Sequence, residues 1–167
     1  FGILDILVSA GRDWATLVEG KVGESVLDPR VVSFRGPGPM TLANGVQIVT
    51  DDDDGVMPDV VCVPEVLISP DAVLTETHQA EINWLRRCHD NGAMIATACS
   101  GALLLAETGL LRGREATTHW AYCDALSGYP DVTVHPNRAL ITGGEGGRLV
   151  MAGGGTSWQD LALFLVA

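Results

Sequence analysis

The sequence predicts an α/β fold, with a mainly parallel sheet covered by helices on both faces. Three observations predict it. Two continuous apolar runs, Asp59–Pro64 (DVVCVP) and Ala93–Ala98, lack the in–out alternation of a half-exposed strand, as strands buried on both faces do. Stretches with helical spacing of apolar residues follow each of them. The chain has 167 residues, 47% hydrophobic and 19% charged, which suffices for one domain with a packed core.

The elements follow in order. Ile3, Leu4, Leu7 and Val8 have helical spacing, and Gly11 is placed to end that helix. An α/β chain that opens on a helix is expected to have a strand upstream. Val31–Phe34 reads as a strand, with Gly36–Pro39 as a turn after it. Asn44-Gly45 predicts a turn and Val46–Val49 a short strand. The carboxylate run Asp51–Asp54 lacks the alternating ligands and distal Glu of a calcium loop, so it reads as a solvated loop. After the Asp59–Pro64 strand, Glu76–His89 is amphipathic, with Ile82, Leu85 and Trp84 on the inward side, and Asn91-Gly92 stops it. Ala93–Ala98 is the second buried strand and Ser100–Leu111 an apolar helix. Thr117–His119 reads as a strand end and Ala121–Leu126 as a helix. Val132–Val134 and Ala139–Thr142 read as strands. Gly143–Gly147 and Gly153–Gly155 are Gly-rich loops. Ser157 is an N-cap candidate for a last helix, Trp158–Val166.

Charge and cysteine usage narrow the function classes. With 10 basic against 21 acidic residues the net charge is −11, a surface that repels phosphate backbones. These residues are therefore not expected to bind nucleic acid themselves. No apolar stretch reaches the length of a membrane span, and the opening apolar run lacks the basic flank expected of a signal peptide. Cys62, Cys88, Cys99 and Cys123 include no CxxC pair. They predict reduced thiols in a cytoplasmic protein rather than a disulfide framework or a zinc site, and no metal or other cofactor is expected.

The sharpest chemical signal is Thr97-Ala98-Cys99-Ser100-Gly101, where a buried strand gives way to a helix. Small neighbours around one nucleophile permit a tight, strained turn, in parallel with the nucleophile elbow. The thiol would stand at a helix N-terminus, where the free N–H groups favour thiolate. A core-packing cysteine is the plainer alternative. His119, preceded by Thr117-Thr118 and followed by Trp120, would end the next strand and could face Cys99 across the sheet top. It could equally be a hydrogen-bonded structural histidine. Glu65 follows the Asp59–Pro64 strand and should lie near Cys99. It either takes a proton from the thiol or faces solvent, and its residue type favours solvent. Asp124 is a candidate to orient His119, with a surface position the alternative.

Residues 96–120, ATACSGALLLAETGLLRGREATTHW, resemble the ThiJ/PfpI (class I glutamine amidotransferase-like) superfamily. More narrowly they are similar to the sensor domains of AraC-type transcription regulators of the GlxA kind. DVVCVP (59–64), HPNRALITGGE (135–145) and VMAGGGTSWQDLALFLVA (150–167) extend the match over nearly the whole chain. The resemblance implies a flavodoxin-like three-layer α/β/α sandwich that usually dimerises. It implies a small-molecule effector, with amino acids or amines as plausible ligands. It also implies DNA contact only through a C-terminal helix-turn-helix domain, which these residues do not include. On that reading the chain is a fragment lacking its first strand and that second domain. The family's nucleophile falls on Cys99 and its histidine on His119, as catalytic candidates that could be vestigial. The candidate ligand-binding set is Cys99, Ser100, Glu65, His119 and Trp120. Three departures bear on activity. Ser100 stands where the peptidase branch has His. Glu65-Val66 replaces the two glycines that commonly follow the third strand and offer backbone donors. The carboxylate that many members place beside the cysteine would lie upstream of Phe1. The alternative implied by the same motifs is a cysteine-dependent hydratase or hydrolase of the isocyanide hydratase type.

Overall fold

The computed structural model describes residues 2–42, 44–51 and 55–167. The chain divides into two compact units at Val56/Met57. The first holds helices α1 (Gly2–Ser9) and α2 (Arg12–Glu19) and an antiparallel pair, β1 (Gly38–Thr41) and β2 (Gln47–Thr50). The predicted first helix is present. Gly11 does not end helical structure, however. It takes φ +76°, turns the chain, and α2 starts at once. Val31–Phe34 is not a strand: Val32 makes one isolated bridge to Asp51, and Ser33 opens a turn in which its carbonyl accepts from the Gly36 N–H at 3.0 Å. That turn is tighter than predicted, and Gly38 and Pro39 already belong to β1. Of the acidic run, Asp51 accepts from the Val31 N–H at 3.1 Å, and Asp52, Asp53 and Asp54 lie outside the described residues.

The second unit carries a four-stranded sheet in the order β3 (Val60–Val63), β4 (Met94–Ala98), β8 (Leu149–Ala152), β7 (Leu140–Gly143). The first three are parallel and β7 is antiparallel at the edge. β5 (Glu115–Ala116) and β6 (Thr133–Val134) form a separate parallel pair. This is the mainly parallel, flavodoxin-like α/β architecture that the sequence predicts. β4 and β8 sit in the middle, which is why their side chains are apolar on both faces: Ile95, Ala96, Val150, Met151 and Ala152 are all fully buried. β8 escapes a sequence reading because its four residues lie between two Gly-rich loops.

The helices between strands supply the cover. α4 (Gln79–Asp90) buries Ile82, Leu85 and Cys88, with Trp84 packed at the core margin. The single helix predicted from Glu76 is broken at His78, whose φ of −130° separates α4 from the short α3 (Leu74–Thr77). α5 (Gly101–Glu107) is buried along six of its seven residues. It ends before Leu111 because the Thr108 hydroxyl donates to the Leu105 carbonyl at 2.5 Å and Gly109 turns at φ +79°. Thr117–His119 leaves the strand, because the Thr117 hydroxyl is shared between the His135 and Arg138 carbonyls at 3.0 and 2.9 Å. A 3₁₀ turn, Trp120–Tyr122, leads into α6 (Cys123–Ser127). α7 (Ser157–Val166) starts one residue earlier than predicted, and Ser157 does not cap it: its hydroxyl donates to the Gly154 carbonyl at 3.0 Å.

Candidate active site

The site is built where β3, β4 and β8 end, the carboxyl edge at which parallel sheets place function. β4 runs buried to Ala98, and Cys99 then takes φ +54°. A left-handed backbone at a non-glycine residue costs roughly 1–2 kcal/mol and needs the surroundings to hold it. They do so from two sides. The Cys99 N–H donates to the Ala152 carbonyl of β8 at 3.2 Å, and the Cys99 carbonyl accepts from the Thr118 hydroxyl at 2.7 Å. Gly101 permits the third approach. A Cβ there would stand 2.8 Å from the carbonyl oxygens of both Val63 and Pro64. The strand–Cys–helix elbow read from the sequence is thus present, half-buried.

Ser100 is fully buried, and its hydroxyl closes on one residue of the loop after β3. It accepts from the Val66 N–H at 3.0 Å and donates to the Val66 carbonyl at 2.6 Å. Glu65 sits between that clamp and the Pro64 carbonyl that abuts Gly101. Its side chain is exposed, and its negative charge is near enough to act on the Cys99 thiol.

The thiol's electrostatics differ from expectation. Burial, the largest effect, pushes the Cys99 pKa above its ordinary value, and the nearby Glu65 carboxylate pushes it further the same way. The Ser100 backbone N–H, and more weakly its side chain, oppose them without prevailing. At neutral pH Cys99 is a thiol, not the thiolate that a helix N-terminus alone would favour. α5 is only seven residues long, so its dipole is small.

His119 is half-buried beside this elbow. Its Nδ1 accepts from the Ala121 N–H at 3.3 Å. The neutral ring therefore carries its proton on Nε2, where it can donate to a bound group rather than take a proton. The ring centroid lies 5.1 Å from that of Trp120, tilted by 39°, and 6.3 Å from that of Tyr122. Gly154, after β8, packs against the imidazole so closely that any Cβ would run into it. Among the described residues no hydrogen bond joins His119 to Cys99, so the two stand on adjoining segments without forming a Cys–His pair. Trp120 is 76% exposed at the rim. Asp124 is exposed and acts on Cys123, whose thiol donates to the His119 carbonyl at 3.7 Å, rather than on the imidazole.

Sequence reasoning missed Thr118, Val66 and Gly154. Each lay in a stretch the sequence marked (Thr117-Thr118 before His119, Glu65-Val66 and the Gly153–Gly155 loop), but nothing in the pattern gave it a role. The Tyr122 hydroxyl, which donates to the Ile68 carbonyl at 2.9 Å, was also missed, and it ties the loop after β3 to the segment carrying His119. Among the described residues no three His, Cys, Asp or Glu side chains are placed to share a metal ion, and no helix is long and apolar enough to cross a membrane. None of the four cysteines is in a disulfide.

A sequence model of the DJ-1/PfpI family matches residues 27–154, across the elbow and all three strand ends that frame it. The chain belongs to the DJ-1/PfpI family. Within it, the isonitrile hydratase of Pseudomonas putida is 34% identical over 130 residues, covering 76% of this chain and 53% of that protein. The HTH-type transcriptional regulator CdhR of Pseudomonas aeruginosa is 40% identical over 89 residues, 53% of this chain and 25% of that protein. The chain thus spans about half the length of the first relative and a quarter of the second. Among solved structures, an AraC family transcriptional regulator from Pseudomonas putida superposes with a TM-score of 0.73 at 16% identity, covering 98% of this chain and 80% of that one, and bears on the fold alone. In the loop after β3 this chain has Glu65 followed by Val66, whose N–H is taken by Ser100.

Proposed function

We propose that this DJ-1/PfpI domain is the ligand-sensing and dimerisation domain of an AraC-type transcription regulator of the cytoplasm. It binds a small metabolite near Cys99, Ser100, Glu65, His119 and Trp120, and DNA is contacted only through a separate helix-turn-helix domain. The observation that carries this reading is the state of Cys99. Burial favours its protonated form, no hydrogen bond among the described residues joins its thiol to His119, and the Val66 backbone donor nearby is occupied by Ser100. Such a site presents hydrogen-bonding groups to a ligand without an activated nucleophile. The net charge of −11 also supports leaving DNA to another domain.

A second reading is favoured by the 34% identity to isonitrile hydratase over 130 residues. In it the Cys99 sulfur adds to the isonitrile carbon, and water releases an N-substituted formamide. One experiment separates the two. The chain is incubated with cyclohexyl isocyanide and assayed for N-cyclohexylformamide, then screened by thermal shift against amino acids and amines. The sensor reading expects no formamide, a ligand that raises the melting temperature, and loss of that rise in Trp120→Ala. Formamide production abolished by Cys99→Ser would replace it with the hydratase reading.

A further inference from the structure

His119 is held from several directions. Thr118, the residue before it, donates through its hydroxyl to the Cys99 carbonyl at 2.7 Å. The His119 carbonyl accepts from the Tyr122 N–H at 2.8 Å, and its Nδ1 accepts from the Ala121 N–H at 3.3 Å. The imidazole then lies on Gly154. A Cβ at that residue would overlap Cδ2, and would stand 2.6 Å from Cγ and 3.0 Å from Cα of His119. Carbon atoms in contact settle at about 3.5–4.0 Å, so only glycine leaves the ring its place. Gly154 itself is fixed unequally. Upstream, the Gly153 N–H donates to the Ala139 carbonyl at 2.9 Å, and Ala152 is fully buried in β8. Downstream, the Gly154 carbonyl accepts from the hydroxyl and the N–H of Ser157, at 3.0 and 3.4 Å. Ser157 is the first residue of α7. The sheet side is the firmer of the two, so a push on Gly154 is relieved toward α7.

We propose that Gly154 is a positioning residue that couples the His119 side of the site to α7: the imidazole seated on it sets where the first turn of α7 stands, and a ligand that engages His119 is felt there. The ligand part rests on the sensor reading above; the contact between ring and helix does not. The coupling is steric, and involves no change of protonation and no covalent step. α7 is arranged to respond as one body. Leu161 and Ala162, near its middle, are fully buried and act as a pivot. Its N-cap residue, Thr156, makes no side-chain cap, so the Gly154 carbonyl is what tethers the first turn. A shift at that end tilts the helix about its buried middle. α7 runs in the C-terminal direction, the side on which the separate helix-turn-helix domain is proposed. Gly154 therefore gives the sensor reading a route from the ligand to that domain, through atoms already in contact.

The test reads α7 directly and uses no ligand. Trp158, half-buried in the first turn, is the reporter. The protein is labelled with fluorotryptophan and followed by fluorine NMR, with the Trp158 resonance assigned through Trp158→Phe. Gly154 does not take a left-handed φ, so Gly154→Ala adds only a methyl against His119. It is expected to shift the Trp158 resonance and to leave that of Trp84, on α4, in place. His119→Ala takes away the ring and is expected to shift the Trp158 resonance by itself. In the His119→Ala background, Gly154→Ala should have less than half its effect in the wild type, because only the contact with Cα remains. A Trp158 resonance at its wild-type position in both single variants overturns the coupling. A full Gly154→Ala effect without the imidazole overturns the role of the ring. Should Gly154→Ala fail to fold, His119→Ala alone decides, by whether Trp158 moves while Trp84 does not. The sensor reading is judged separately, by the formamide assay and thermal-shift screen, so either can fail while the other stands.

Discussion

At Cys99 and Gly101 the backbone matters more than the side chains. The left-handed φ of Cys99 is retained only because three strand ends converge on it, and Gly101 is what lets α5 come down onto β3. Gly101→Ala places a Cβ 2.8 Å from two carbonyl oxygens that belong to β3 and its exit, so backbone rather than a flexible side chain has to yield. The expected loss is about 1–3 kcal/mol in urea unfolding. A loss below about 0.5 kcal/mol would mean the elbow is looser than its contacts imply. How much of this was legible in the sequence follows from what each feature depends on. The elbow was legible because its requirement is local: small residues around one cysteine between a buried run and a helix. Glu65 was open to either reading, since its place depends on how far β3 extends beside β4, and its side chain is exposed. The Ser100 clamp was not legible at all, because it joins residues 34 apart through a backbone that leaves no signature in side-chain pattern. The thiolate expectation failed because it weighed a helix N-terminus without the burial and the carboxylate that outweigh it.

Among the elements, those with one strong apolar face were the readable ones. α4 shows why its end is also sensitive to pH. His89 stands in its last turn, and the Arg148 guanidinium, from the residue before β8, donates to the His89 carbonyl at 2.8 Å. That bond satisfies a free carbonyl at the helix end and brings a positive charge beside the imidazole. Desolvation first, and Arg148 second, push the His89 pKa below its ordinary 6.5. The buried Nε2 has no hydrogen-bond partner, which agrees with a neutral ring. The fold prefers the neutral form and the unfolded chain accepts the proton first. The contribution is therefore complete above about pH 6.5, declines as the pH falls below that value, and is gone once the pH passes the folded pKa. Urea midpoints at pH 7.5 and pH 5 should differ less in His89→Gln than in the wild type, and equal differences would remove His89 from the acid response. Shorter elements were harder to read for a related reason. β8 has four residues between glycines, and α2 presents Trp14, Leu17 and Val18 to solvent in this chain. The periodicity of α2 is real, but nothing buried lies beneath it.

For the whole molecule, burial is distributed unevenly between the two units. Every fully or nearly fully buried hydrophobic side chain among the described residues belongs to the unit from Met57 onward, from Val61 to Ala162. In the first unit Thr50 is the one buried residue described. α1 and α2 are eight residues each, a length at which helices are marginal without tertiary packing, and neither buries a residue. The second unit instead threads β4 and β8 through its centre and covers them with α4 and α5. The carboxyl ends of those strands hold the elbow, so the site is anchored to the most deeply packed elements of the chain. Opening energies should follow the same division. In hydrogen exchange, the amides of α1 and α2 are expected to exchange through local openings, at rates that low urea barely changes. The amides of Ile95, Ala96, Val150 and Met151 should exchange only through global unfolding, with protection that falls steeply as urea rises. Equal protection in the two units would show that the first draws on stabilising contacts other than buried apolar area. Protection confined to β4 and β8 would place Cys99, Ser100 and Gly101 at the end of the last structure to open, which is what a strained elbow requires to keep its geometry.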